Sequence, residues 1–217
     1  MDLVRPGIRS VKITPDRFLQ GMTYPEYKAQ MRYFQAEMQD AEGKVDLRAE
    51  DVRYFSRLPT PLHVLVFTED WCGAALESVP VLARLAEESR KLDLRFFLRD
   101  QNLDIMDLYL KDGIHRSIPT FIFFEDSFQE VARWFERAAK IEELMTSMEG
   151  ELYAHDPVLR GVSPETPWQE LPEAARQRLE LFDEQFWQDH RQLSDLEVVR
   201  EIREAVESGL RSLQQRS

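Results

Sequence analysis

The chain's single cysteine, Cys72, stands in the run Trp71-Cys72-Gly73-Ala74-Ala75, where a short apolar stretch gives way to a helical pattern. A thiol at a helix N-terminus meets unpaired backbone N–H groups and the positive end of the helix dipole, and both favour the thiolate. A free thiol of pKa about 8.5 is only a few per cent ionised at pH 7, so a modest downward shift multiplies the nucleophile. Gly73 leaves room for another chain to approach the sulfur. Glu69 and Asp70 precede Trp71, and near the sulfur they would oppose the dipole and raise the thiol pKa. With one cysteine no internal disulfide can form, and a lone cysteine is otherwise a small buried residue or an inert thiol.

Other side chains offer less chemistry. His63, His115, His155 and His190 are scattered without ligand spacing, so neither a metal site nor another cofactor is expected. Arg133, Arg137 and Lys140 read as a solvated face, and Trp134, Trp168 and Trp187 as packing anchors.

The elements that must position Cys72 follow from apolar spacing. Residues 1–22 show little periodicity and read as a loosely attached arm. From Thr23 a helical pattern begins: Thr23 and Glu26 have capping-box spacing, and Tyr27, Met31, Phe34 and Met38 share one face. A short helix from Asp46 carries Val52 and Phe55 and must stop before Pro59 and Pro61. Residues 62–67 and 94–98 are apolar, strand-like runs joined by a helix starting near Gly73. A short helix over 103–112 would end at Gly113, a suitable C-cap. A third strand over 120–124, a turn at Glu125-Asp126-Ser127, a fourth strand near 131–135 and a helix over 137–149 complete the pattern. Pro157, Pro164, Pro167 and Pro172 mark a connector, and two further stripes predict a helical hairpin with a second capping box at Ser194 and Glu197.

This order gives an α/β fold, a central mixed β-sheet flanked by helices with N-terminal and C-terminal helical extensions. The segments are 1–58 (arm and helices packing on the core), 59–150 (the α/β domain) and 151–217 (connector and hairpin). With 28 basic and 40 acidic residues the net charge is −12, which argues against binding nucleic acid. No run reaches the roughly 20 apolar residues of a membrane span, and the N-terminus lacks a secretory apolar region. A cytoplasmic protein is expected.

The segment from about Leu62 to Phe135 resembles the thioredoxin superfamily. Trp71-Cys72-Gly73 sits where that family carries Trp-Cys-Gly-Pro-Cys, and Pro80 falls where it has a helix-kinking proline. Asp100-Gln101-Asn102 follows the second strand, and Ser117-Ile118-Pro119-Thr120 is similar to its cis-proline segment. The resemblance implies a cis bond before Pro119, with the backbone of Ile118 pairing with an extended bound peptide. Trp71, Gly73, Ile118 and Pro119 would then frame the nucleophile, Cys72. The departures are equally specific. Ala75 stands in place of the resolving cysteine, and Val66 and Phe96 in place of the buried Asp and Lys that assist proton transfer. A self-sufficient dithiol reductase is thereby excluded.

Three readings remain. Cys72 could form mixed disulfides as a monothiol oxidoreductase, with protein thiols or disulfides as substrates and a low-molecular-weight thiol as resolver. A Cys-Gly-x-x motif also resembles monothiol glutaredoxins, but Glu69-Asp70 and the lack of a Gly-Gly-x-Asp segment argue against an iron–sulfur cluster. Alternatively the chain is a redox-inactive interaction module for a protein partner. Self-association through the extra helices is a weaker third reading.

Overall fold

The computed structural model describes residues 13–215. In chain order the elements are α1 (Pro15–Phe18), α2 (Tyr24–Gln30), α3 (Gln35–Lys44), α4 (Ala49–Ser56), β1 (Leu62–Thr68), α5 (Gly73–Ser89), β2 (Leu92–Leu98), α6 (Leu103–Met106), β3 (Thr120–Phe124), β4 (Glu130–Phe135), α7 (Ala139–His155) and α8 (Glu173–Gln214). The strands form one mixed sheet in the order β2-β1-β3-β4, with β1 parallel to β2 and β3 antiparallel to β1 and β4. Because the parallel pair needs a crossover, α5 returns the chain across the sheet and brings its N-terminus, with Cys72 as N-cap, to the end of β1.

Cross-strand partners share a face, so Phe96, Val66, Phe121 and Trp134 form one row across all four strands. Trp134 stacks on Phe121 with centroids 4.9 Å apart and donates its indole N–H to Glu201 of α8 at 2.9 Å. The β4 end of that face therefore lies under α8. The opposite row, Phe97, Phe67 and Thr120, meets Tyr109 from the segment after α6. One apolar core runs from Ile13 to Val206 through all three sequence segments.

Several local expectations give way to tertiary structure. The helix predicted from Thr23 is two helices, because Met31 turns extended and Phe34 adopts a left-handed φ of 51°. The Thr23–Glu26 capping box does form. Of the arm, residues 1–12 lie outside the described residues; the rest is docked rather than loose. Phe18 is buried, and Met22 exchanges both backbone hydrogen bonds with Phe96 at 2.9 and 2.8 Å, covering the edge of β2. Gly113 caps no helix, since α6 stops at Met106; it lies in a turn closed by Lys111 and His115. The helix predicted over 137–149 continues to His155.

The C-terminal segment is not a hairpin. α8 is one unbroken helix of 42 residues. No Gly or Pro lies between residues 173 and 208, so nothing local breaks it. Ser194 is fully buried in mid-helix and its hydroxyl has no partner among the described residues. Glu197 pairs with Lys140 at 2.9 Å and Arg200 at 2.6 Å instead of closing a capping box. Gly209 lies so close to β4 that a Cβ there would drive into the Val131 carbonyl. Nor is Trp168 a packing anchor, being 46% exposed. Among the described residues no helix is long and apolar enough to cross a membrane.

Candidate functional site

Cys72 is buried at the junction of β1 and α5, 8% exposed, with φ −82° and ψ 110°. Its S–H donates to the carbonyl of Ile118 at 3.6 Å. The bond between Ile118 and Pro119 is cis. The structure thus brings Cys72, Ile118 and Pro119 together. Among the described residues the Ile118 carbonyl takes the thiol, while its N–H has no partner. Trp71 is 45% exposed at the surface edge of the site, with the Arg99 guanidinium 5.2 Å from its ring centroid. Gly73 faces open space: a Cβ there would meet nothing within 4 Å.

Burial is the largest influence on the thiol and pushes its pKa up, because desolvation penalises the thiolate. The amides of Ala75 and Ala74 and the charge of Arg99 pull it down, and the charge of Glu77 pushes it up. Burial prevails, so the net direction is upward, against the dipole of α5. The hydrogen bond to the Ile118 carbonyl acts in the same sense, since only the protonated sulfur can donate it.

Glu69 and Asp70 are not the carboxylates that oppose ionisation. Glu69 is buried and accepts the Asp100 amide at 2.8 Å, and Asp70 accepts the Arg32 amide at 2.8 Å from the α2–α3 turn. They tie the Cys72 loop to its neighbours. The carboxylate acting on the sulfur is Glu77, one and a half turns along α5.

Glu77 and Arg137 are the residues that sequence reasoning missed. Arg137 is no solvated side chain: its Nε and Nη2 both donate to Glu77 at 2.6 Å, and its guanidinium lies 5.3 Å from the Trp187 ring centroid. The Glu77 side chain is only 7% exposed, and its burial outweighs the arginine, pushing its pKa up to about 7. A signal was present. Apolar residues run all round α5, including Ala75, Val79, Pro80, Val81 and Leu82, and such a helix is covered on every side. A carboxylate within it requires a partner. Arg133 and Lys140 are likewise paired, with Glu130 and Glu197.

The substituted positions have been refilled rather than left as holes. Val66 and Phe96 are register partners on β1 and β2, both buried. Tyr27 of α2 stacks on Phe96 with centroids 5.0 Å apart and planes inclined by 11°. Its hydroxyl donates to the Glu69 carbonyl at 3.4 Å. This aromatic plug leaves no titrating side chain at either position. Ala75 is fully buried, its amide donating to the Cys72 carbonyl at 3.1 Å. Pro80 cannot donate to the carbonyl four residues earlier. That carbonyl, Leu76, is met by Arg191 of α8 at 3.2 Å, and Arg191 also pairs with buried Asp195 at 2.9 Å. No group of three His, Cys, Asp or Glu side chains among the described residues is arranged to hold a metal.

A family profile described as thioredoxin matches residues 21–149. Among solved structures, the chain is similar to a protein of unknown function from Pseudomonas aeruginosa, with TM-score 0.61 and 13% identity over 90% of this chain and 98% of that one. It is also similar to an HIV epitope-scaffold, with TM-score 0.58 and 14% identity over 88% of this chain and 95% of that one. At such identities these structures speak for the fold alone. No curated protein matches the sequence.

Proposed function

Since the chain belongs to the thioredoxin family, we propose that it is an interaction module that takes an extended segment of a partner protein beside Pro119 and keeps Cys72 as a protonated, slow thiol. One observation carries this reading. The buried thiol donates a hydrogen bond to the Ile118 carbonyl, while the Ile118 amide beside it is left without a partner among the described residues. An unpaired backbone amide beside the thiol is suited to adding one short strand of backbone pairing. A thiol pushed up in pKa attacks disulfides slowly at pH 7, and with Ala75 in α5 there is no second thiol to release a mixed disulfide. The test has two arms. A permanently unfolded, thiol-free chain (reduced and carboxymethylated) is expected to slow hydrogen exchange at Ile118 in wild type and in Cys72→Ser alike. Glutathione-coupled reduction of hydroxyethyl disulfide is expected to be no faster with wild type than with Cys72→Ser. Unchanged exchange at Ile118, or turnover that depends on Cys72, sinks the proposal.

The second reading is a monothiol oxidoreductase, favoured by the Ala74 and Ala75 amides and the Arg99 charge, which all act to stabilise a thiolate. In that step the Cys72 thiolate bonds to one sulfur of a disulfide and expels the other as a thiolate. A low-molecular-weight thiol then attacks the mixed disulfide and regenerates Cys72. Turnover that depends on Cys72 in the assay above would establish this reading in place of the first.

A further inference from the structure

Far along the chain from Cys72, the end of α7, the proline-rich connector and the start of α8 line a half-open cavity of about 430 Å³. That volume lies within the range of small-molecule sites. Its walls include the rings of Tyr153, Trp168 and Phe182, and its polar groups include the carboxylates of Glu149, Glu180 and Asp183. No basic side chain lines it.

The charge around the cavity is unbalanced in a specific way. Neighbouring acids are neutralised: Glu173 by Arg176 and Asp156 by Arg178, both at 2.6 Å. Glu149 and Glu180 have no ion-pair partner among the described residues. Asp183 is held in place by the Trp187 indole N–H at 3.2 Å, and partial burial pushes its pKa up. The guanidinium that acts on Asp183, that of Arg137, is already engaged by Glu77 and Glu142. Trp168 is 46% exposed although large and apolar, at the cavity's edge. Aromatic faces attract cations through their quadrupole, most strongly tryptophan, and more so where water is partly excluded. The carboxylates add a direct attraction and repel anions.

We propose that this cavity binds a small organic ammonium ion with an aromatic or alkyl body, the body lying among the rings and the charge among Glu149, Glu180 and Asp183. This site is separate from the thiol and does not depend on how Cys72 behaves.

The probe is 2-phenylethylammonium, titrated calorimetrically into the full chain at low salt and neutral pH. Its neutral counterpart 2-phenylethanol and the anion 3-phenylpropionate serve as controls. The variants are Trp168→Ala and the double change Glu180→Gln with Asp183→Asn. All three side chains are partly accessible to solvent, and thermal unfolding confirms that each variant is folded. The expected result is saturable one-to-one binding of the ammonium ion, weakened about tenfold by the double change, by loss of Trp168 and by using the alcohol, with no binding of the anion. Three results overturn the proposal. They are equal affinity for ammonium and alcohol, unchanged affinity in both variants, and no saturation at millimolar concentrations.

Discussion

Replacing Glu77 by glutamine should remove a pH dependence from the protein's stability. Glu77 is 7% exposed and held by two bonds of 2.6 Å to Arg137. Burial nonetheless raises its pKa from 4.5 to about 7, with Asp183 adding to the rise and Arg137 and Arg191 opposing it. Between those two values the folded protein binds a proton that the unfolded chain has released, so stability falls as pH rises. The favourable contribution of the neutral form is complete below about 4.5 and lost as pH passes through about 7. A difference of about 2.5 pKa units at 1.36 kcal/mol each gives about 3 kcal/mol. Glutamine has no proton to release. Urea unfolding of wild type and Glu77→Gln at pH 5 and pH 8 should therefore show the variant gaining about 3 kcal/mol relative to wild type across that interval. Asp195, pushed up to about 6, imposes a decline of the same sign on both proteins and cancels in the difference. A difference between the two proteins that stays flat with pH, or that moves in favour of wild type as pH rises, would refute the reasoning.

Three further changes probe the frame. Ala75→Cys should restore a dithiol, because residue 75 lies in the same first turn of α5 as Cys72; intact mass after oxidised glutathione should show the loss of two hydrogens, and persistent glutathione adducts on both cysteines would count against it. Gly209→Ala should destabilise by about 1–3 kcal/mol through overpacking against the Val131 backbone, read as a lower urea midpoint with an unchanged slope. Arg191→Met should cost about 3–5 kcal/mol, since it strands buried Asp195 and leaves the Leu76 carbonyl, orphaned by Pro80, without its donor. A loss under about 1 kcal/mol would show that Arg191 is only a surface pair.

What the sequence disclosed was what lies along a single stretch of chain. Cys72 at the start of α5, Pro80 within it and Ile118-Pro119 before β3 could be placed by counting, and the apolar runs of β1, β2 and β3 mark a buried sheet. The partners of α5 could not be placed this way, because Arg137 is 60 residues from Glu77 and Arg191 is 115 from Leu76. The first joins α5 to the connection between β4 and α7, and the second depends on α8 covering α5. Ser194 shows the converse error: a capping-box spacing is a local preference, and burial of that serine within a continuous helix overrides it. The break between α2 and α3 carried no mark at all, since Phe34 takes a left-handed conformation that sequence assigns to glycine or asparagine.

The acidity of Cys72 is the most direct test of the central claim that this thiol is kept protonated. The rate of its alkylation by iodoacetamide, followed by intact mass against pH on the full chain, yields that value without interference, because there is no second cysteine. Burial, the Ile118 carbonyl and the charge of Glu77 predict a midpoint above the ordinary thiol value of about 8.5, and slow labelling at pH 7. A midpoint below about 7, with rapid labelling at neutral pH, would mean that the α5 amides and Arg99 prevail and that Cys72 is a working nucleophile.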